Sequence, residues 1–489
     1  CPHAVIRPVV RTEEEAANAP EGTKMVPMTG MPQYKFAMTI SALDCTGCGS
    51  CANVCPGKKG EKALTMASLE ENLGQQEVFN YGQKLDIKQD VIDKFKETTV
   101  KGSQFKQPLL EFSGACAGCG EPPYAKLITQ LFGDRMYIAN ATGCTSIWGN
   151  SSPSTPYTAN KAGKGPAWDN SLFEDNAEFG YGMLLAQNAM RDGLKAKVES
   201  VAASAEASAE AKAACQEWLD TFSVGALNGA ATDKMVAVLS GCDCPTCKEI
   251  VKNKDFLAKK SQWIFGGDGW AYDIGFGGLD HVLASGEDIN VLVLDTEVYS
   301  NTGGQSSKST PAAAIAKFAA AGKKTKKKDL GMIAVSYGYI YVAQIALGAD
   351  MNQAVKAIHE AESYPGPSLI IAYAPCINHG IKAGMGEASA EQKAAVECGY
   401  WCNWRYDPRL LDAGKNPFHL DSREPKGDFR KFLLGEVRYA SLQKLFPQEA
   451  EALFEKTEKD ARARRQSYVR MQKSFDLEMQ EHQAAAEQR

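Results

Sequence analysis

The sequence predicts an α/β chain: a parallel sheet with covering helices through most of its 489 residues, preceded by a small α+β module rich in cysteine. Three observations predict it. Short apolar runs (Met136 to Ala141, Trp263-Ile264-Phe265, Val291 to Leu294, Ser368 to Tyr373) alternate with helical stretches, as buried parallel strands do. Several of these runs open into loops of glycine, hydroxyl and cysteine residues, and strand ends of a parallel sheet share the rim where ligands sit. Fifteen cysteines, several in tight Cys-x-x-Cys spacing, suit bound metal in a long chain better than disulfides.

The length leaves room for two to four domains. A net charge of −5, from 54 basic and 59 acidic residues, argues against a general nucleic-acid partner. No run of about 18 apolar residues predicts a membrane span, and no signal peptide is read. The thiol content fits a reducing cytoplasm. The chain opens at Cys1 without methionine. A mature lipoprotein is one reading. A fragment or processed chain is preferred, because Cys1-Pro2 fits an iron–sulfur motif that has lost its front.

Residues 1 to 35, rich in Pro, Glu and Met, read as largely irregular, and Lys35 to Ile40 as a strand. Then comes Cys45-Thr-Gly-Cys48-Gly-Ser-Cys51-Ala-Asn-Val-Cys55-Pro56. This is the Cys-x₂-Cys-x₂-Cys-x₃-Cys-Pro run of bacterial ferredoxins, in which three thiolates hold one [4Fe–4S] cube and the fourth ligates the other. Cys45, Cys48 and Cys51 then need a fourth ligand, which Cys1 supplies. Cys55 belongs to a second cube whose other ligands lie outside this sequence. Residues 57 to 82 finish the module. Leu85 to Lys101 has helical spacing and links two domains.

The second domain opens with Cys116-Ala-Gly-Cys119-Gly-Glu121-Pro122-Pro123. The prolines suit a first helical turn, so a helix follows over Ala125 to Phe132. The strand Met136 to Ala141 delivers Thr142-Gly143-Cys144, and the strand Ile370 to Ala374 delivers Cys376-Ile-Asn. Alone, Cys116-x-x-Cys119 could be a zinc knuckle or a redox dithiol.

Gly266-Gly267-Asp268-Gly269-Trp270 follows the strand at 263–265. Glycine lets backbone amides approach a phosphate, and Asp268 is a hard oxygen ligand suited to Mg²⁺. About 28 residues on, Asp295-Thr296-Glu297-Val298-Tyr299-Ser300-Asn301 follows the next strand with further oxygen ligands. A lone Gly-Asp-Gly is also an ordinary turn.

Taken together, these motifs resemble pyruvate:ferredoxin (flavodoxin) oxidoreductase, in its C-terminal part, over roughly residues 1 to 60 and 109 to 440. The resemblance implies a parallel-sheet domain for thiamine diphosphate (TPP), preceded by an α+β ferredoxin-like domain for two [4Fe–4S] clusters. Asp268, Thr296 and the Val298 carbonyl map to Mg²⁺ ligands, and Asn301 to the asparagine at the reacting centre. The cofactor segments are Gly267 to Trp270 and Thr296 to Asn301, which include Glu297, Tyr299 and Ser300. Cys116, Cys119, Cys144 and Cys376 map to a proximal [4Fe–4S] site, and Glu121 and Cys144 also touch TPP. The implied reaction takes pyruvate and coenzyme A to acetyl-CoA and CO₂, with electrons leaving to ferredoxin or flavodoxin. The glutamate that helps ionise TPP lies in the family on another domain with no candidate here. The chain should therefore need a further N-terminal part, and the complete enzyme should be a homodimer. Alternatives are a sibling acting on 2-oxoglutarate, a branched 2-oxo acid or indolepyruvate, and an electron-transfer subunit without catalysis of its own.

The implied division is 1–82 ferredoxin-like, 83–108 linker, 109–445 TPP domain and 446–489 charged helical tail. Within it, Trp148 to Asp169 reads as a loop, either lining the site or plain surface coil, and Asn176 to Asp192 as a helix. Lys195 to Phe222 reads as an inserted exposed helix, Asp273 to Ala284 as the helix after the phosphate loop, with His281 structural, and Pro311 to Ala321 as an Ala-rich helix. Lys323-Lys-Thr-Lys-Lys-Lys328 reads as a solvated loop or a contact for an acidic carrier or coenzyme A. Ile333 to Ser336, Met351 to Ser363 and Ser368 to Tyr373 continue the alternation. Ala388 to Gly399 is a helix and Phe418 to Asp428 a polar connection. Cys242, Cys244 and Cys247 are free thiols or a metal or redox group. Cys215, Cys398 and Cys402 are buried small residues.

Overall fold

The computed structural model describes residues 1–57, 60–149 and 155–487. Of the loop expected over Trp148 to Asp169, 150–154 therefore lie outside the described residues, as do the last two of the tail; the ends of that stretch are not loop but belong to helix Cys144–Gly149 and strand Ala167–Ser171. Eight strands form one sheet: β4 Met136–Ala141, β5 Ala167–Ser171, β6 Ser261–Gly267, β7 Asn290–Asp295, β8 Tyr341–Ile345, β9 Ser368–Tyr373, β10 Trp404–Tyr406 and β11 Phe418–Leu420. Their order is β11-β10-β8-β9-β7-β6-β4-β5, and the six from β8 to β5 run parallel. The alternation of side chains fills both faces. Ile264, Val291, Val293, Leu369 and Ile371 enter one core, while Trp263, Phe265, Leu292, Leu294 and Ile370 enter the other. Both faces are buried, which is why these strands read as unbroken apolar runs.

A second sheet holds β1 Ile6–Arg11, β2 Val26–Pro27 and β3 Lys35–Ile40 in the order β1-β3-β2. The expectation of an irregular start is corrected here. Ile6–Arg11 pairs antiparallel with β3, and Pro8 is tolerated because β1 is an edge. The strand is hard to read because Arg7 and Arg11 are buried in it. Arg7 donates to Ala4 O and Gln83 Oε1 and pairs with Glu111. Short helices Gln89–Phe95 and Val100–Ser103 occupy the expected linker.

Other expectations are corrected by long-range contacts. Pro311 to Ala321 is not helical: Ala313 and Phe318 have φ of 69° and 67°, and the backbone bonds elsewhere. Ala313 N donates to Lys323 O, Ile315 N to Arg438 O and Lys317 N to Gly304 O. The alanines serve close packing, with Ala312, Ala313 and Ala314 buried. The segment around Ile333 is the helix Leu330–Val335, and the next strand comes later, at β8. The helix after the glycine loop begins at Phe276 because Gly269–Ile274 forms a wider π turn first. Phe418–Leu420 is not coil but an edge strand, antiparallel to β10, which itself runs antiparallel to β8.

The insertion is larger than one exposed helix. Helix Asn176–Ala203 continues into helices Ala209–Asp220, Gly225–Leu239 and Pro245–Lys252. They enclose their own core around Trp218, Met235, Leu239, Cys247 and Ile250. Trp218 Nε1 donates to Thr232 Oγ1 at 3.1 Å. The helix Pro447–Glu487 packs the first part of its length: Leu453, Phe454 and Tyr468 join the core, and Tyr468 donates to Asp329. Among the described residues no helix is long and apolar enough to cross a membrane.

Candidate functional site

Four adjacent parallel strands, β9, β7, β6 and β4, end on one rim and carry Cys376, Thr296, Asp268 and Cys144 just beyond. Strands about 4.8 Å apart bring residues distant in sequence within reach of one another. The chain lays β5 on one side of β4 and then returns to lay β6 on the other. A crevice opens at such a reversal, and here Cys144 and Asp268 flank it.

Asp268 is fully buried. Its Oδ1 accepts from Thr296 N at 3.1 Å and Thr296 Oγ1 at 3.0 Å, and its Oδ2 from Ser307 Oγ at 2.6 Å. Thr296 Oγ1 also lies 3.0 Å from the Val298 carbonyl. Burial, then repulsion from Asp295, push the Asp268 carboxyl well above the usual carboxylate range. A divalent cation would reverse that. The oxygen spacing fits Mg²⁺: an octahedron with bonds of about 2.1 Å has adjacent oxygens about 3.0 Å apart.

Beside this cradle is a cavity of about 190 Å³ lined by Glu121, Thr142–Thr145, Phe173, Gly267, Gly269, Trp270 and Val298–Thr302. Glu121 is 2% exposed and accepts from Trp148 Nε1 at 2.8 Å. Burial, partly opposed by that bond, lifts its carboxyl to about 7. Cys144 also lines the cavity, and Ser300 Oγ donates to its Sγ at 3.2 Å, so the β4 and β7 loops touch. Burial holds the Tyr299 hydroxyl up at about 12.

Cys144 has a second set of neighbours. Cys116, Cys119 and Cys376 surround it, close enough for their charges to act on one another. The only three thiols within 4.8 Å of one another among the described residues lie elsewhere, at 242, 244 and 247. The spacing here is therefore wider than the ligand shell of one bare ion. Burial, then Glu121, raise the Cys119 and Cys144 thiols; burial lifts Cys376 to about 11 even against the amide bonds it accepts from Asn378. Cationic iron is what turns such thiols into thiolates.

In the first module the Cys1 terminus, Cys45, Cys48 and Cys51 are likewise mutual neighbours. Cys55 faces the amides of Leu64, Gly57 and Ala63, which hold its thiol below its ordinary range. The two cysteine groups are joined through one strip of chain. Gly386 lies against the Cys48 carbonyl and Met385 against Gly118, where an added Cβ would sit 2.6 Å from Cys48 O and 2.4 Å from Met385 O. Gly118 also has φ of +79°. Only glycine lets the Cys116–Cys119 loop, this strip and the Cys48 loop close on one another.

One site residue points the other way. Glu297 has φ of 59°, and its carboxylate turns from the cavity into a buried ionic knot. It accepts from Lys327 Nζ at 2.9 Å, Arg438 NH2 at 2.8 Å and Tyr400 OH at 2.5 Å. Burial alone would raise its pKa, but Lys327 and Arg438 outweigh burial and bring it down to about 2. Lys327 also bonds Asp295 Oδ2 at 2.7 Å. The lysine run is thus solvated only at 324–326: the Lys323 amine is bonded to the Ser307 and Thr310 carbonyls, and Lys328 to that of Tyr272. His379 Nε2 meets Thr296 O at 2.6 Å and links the Cys376 loop to the cradle. Sequence reasoning missed Ser307, Trp148, His379, Lys327 and Arg438. Of these, His379 stood three residues after Cys376, Trp148 four after Cys144 and Lys327 within the lysine run, whereas Ser307 and Arg438 carried no chemical signal.

A fold with this rim and these two cysteine groups defines the class: a TPP-binding domain coupled to an iron–sulfur module. The model of the C-terminal TPP-binding domain of thiamine pyrophosphate enzymes matches residues 251–372. That of the 4Fe-4S binding domain matches residues 38–58. The chain is 59% identical over 484 residues to the pyruvate-flavodoxin oxidoreductase of Enterobacter agglomerans, covering 97% of this chain. It is 58% identical to that of Klebsiella pneumoniae and 56% identical to the pyruvate:ferredoxin oxidoreductase of Moorella thermoacetica, each over 96% of this chain. The likeness includes the helical insertion, beyond the motif-bearing segments. The chain spans 40% of the length of each of these relatives.

Proposed function

We propose that this chain is the electron-transferring and TPP-holding portion of an enzyme that oxidatively decarboxylates pyruvate with coenzyme A. Acetyl-CoA and CO₂ are the products, and ferredoxin or flavodoxin takes the electrons. The observation that carries the reading is the double position of Cys144, which lines the cavity beside the cradle and stands among the three other cysteines. Relatives of matching sequence carry the pyruvate, flavodoxin and ferredoxin names.

In this reading Asp268, Thr296 and the Val298 carbonyl hold Mg²⁺, and the amides of Gly267, Gly269 and Trp270 face the diphosphate. When bound, TPP supplies a nucleophilic ring carbon and an electron sink for the loss of CO₂. Glu121 holds or releases a proton near neutral pH at the cavity wall, kept in place by Trp148. Asn301 offers its amide at the exposed mouth. Tyr299 and Ser300 shape the wall, whereas the Glu297 carboxylate braces the loop from behind. Cys116, Cys119, Cys144 and Cys376 hold the proximal cluster, and Cys1, Cys45, Cys48 and Cys51 the next. The strip Met385–Gly386 keeps the two close. Cys55 serves a third cluster whose other ligands come from the remaining part of the enzyme, which also supplies the missing glutamate. The division 1–82, 83–108, 109–445 and 446–489, a homodimeric complete enzyme and a cytoplasmic location belong to the same reading.

The test is a paired assay of anaerobically purified protein for iron and sulfide and for thiamine after acid release, repeated on Asp268→Ala. Thiamine should be present in the parent and absent from the variant, with iron equal in both. Equal thiamine in the two would overturn the cradle. Joined to the rest of the enzyme, the parent should reduce flavodoxin or ferredoxin with pyruvate and coenzyme A. Reduction with 2-oxoglutarate but not pyruvate would overturn the substrate.

A further inference from the structure

Cys242, Cys244 and Cys247 belong to neither cysteine group described above. They sit in the helical insertion, where helix Gly225–Leu239 turns into helix Pro245–Lys252. Cys242 lies in the turn, Cys244 caps the second helix and Cys247 stands on its first turn. Their three Sγ atoms lie within 4.8 Å of one another, and all three are unbonded thiols. Cys247 is buried against the insertion core, Cys242 is half-buried and Cys244 lies at the surface. The first amides of the second helix, at Thr246 and Cys247, hydrogen-bond the Cys244 sulfur.

We propose that these three cysteines form a site for one Zn²⁺ ion that staples the two helices of the insertion. Zinc takes thiolates at about 2.3 Å in a tetrahedron, which sets its sulfurs about 3.8 Å apart. The triad needs to contract by less than about 1 Å to reach that spacing. A disulfide would use two of these sulfurs and strand the third, whereas a tripod uses all three. Softness of the donors favours zinc over the hard Mg²⁺ of the cradle. The fourth position faces outward. No fourth Cys, His, Asp or Glu closes on the triad among the described residues. Asp243 is fully exposed and paired with Lys248 at 2.9 Å. A water or an external thiol therefore completes the tetrahedron. Because Cys247 is rooted in the core, binding ties the turn to the packing of Trp218 and Leu239, and metal affinity becomes stability of the insertion.

The experiment uses the full cluster-loaded chain, purified without oxygen, given one equivalent of Zn²⁺ and passed over a chelating resin. Zinc and iron are counted together, and zinc X-ray absorption reads the ligand shell. About one zinc per chain should remain, with about three sulfurs at 2.3 Å and one lighter atom. Cys244→Ser, a surface change that leaves the core intact, should lower zinc affinity at least tenfold while iron stays constant. Cys242→Ser should do the same. Equal zinc retention in the variants, a shell without sulfur, no zinc in the parent, or a disulfide within the triad would each overturn the proposal.

Discussion

Replacing Lys327 by Met tests whether the β7 loop is held from behind by buried charge. The Lys327 side chain is 8% exposed, and its amine lies 2.7 Å from Asp295 and 2.9 Å from Glu297, whose side chains are 0% and 1% exposed. Removing one partner of a buried ion pair costs about 3–5 kcal/mol, because the other charge is left without compensation. The two carboxylates suffer unequally. Glu297 keeps Arg438 and Tyr400. Asp295 keeps only neutral donors: Tyr272 OH, Ser309 Oγ and Glu297 N. The loss should therefore fall near the lower end, about 3 kcal/mol, and arise mainly at Asp295. Adding Asp295→Asn to Lys327→Met should recover more than half of it, and adding Glu297→Gln should recover less. Urea unfolding followed by tryptophan fluorescence measures this, since Trp401 lies 5.0 Å from the lysine amine. Exposed Lys324→Met is the control, expected to change stability by no more than about 0.5 kcal/mol. If Lys327→Met behaved like that control, or if the two double variants ranked the other way, the reasoning would be refuted.

Further outcomes follow from the same geometry. Cys376→Ala should remove about four irons per chain, one cube, and leave the ferredoxin-type cluster signal intact; unchanged iron content would show that Cys376 is no ligand. Gly386→Val should slow electron passage between the two clusters while thiamine content holds, because its side chain must displace the Cys48 carbonyl. Rapid-mixing spectroscopy reads that rate, and a rate equal to the parent would remove the strip from the path. Glu391 is raised to about 7 by burial and then by Glu436, and its Oε1 has no partner. Its folded pKa exceeds the unfolded one, so the stability it confers is present below about 4.5 and lost as pH rises to about 7. Glu391→Gln should therefore stabilise the protein at pH 8 more than at pH 5; equal shifts in melting temperature at both would contradict the assignment.

The motifs were legible because their chemistry is local. Cysteine spacing, Gly-Asp-Gly and the apolar runs each depend on residues a few positions apart, and they were enough to pick out residues that the fold brings together at the cradle and in both cysteine groups. Strands β4, β6, β7 and β9 were legible because burial on both faces demands continuous apolar sequence. Strand β1 was not, because Arg7 is buried only when Gln83 and Glu111 arrive from elsewhere, and Arg11 only against Tyr81.

What the sequence by itself determined is the set of candidate donors: the paired thiols, the Asp268 carboxylate, the hydroxyls and the glycine amides. Which donors meet was decided by the strand order, since Cys144 and Cys376 are 232 positions apart and become neighbours only across β4, β6, β7 and β9. Tertiary structure likewise turned Lys327, one of a run of lysines, into a buried counter-charge and an alanine-rich stretch into packed coil. Charge and helix propensity are local preferences of under about 1 kcal/mol per residue, and buried ion pairs and long-range backbone bonds outweigh them.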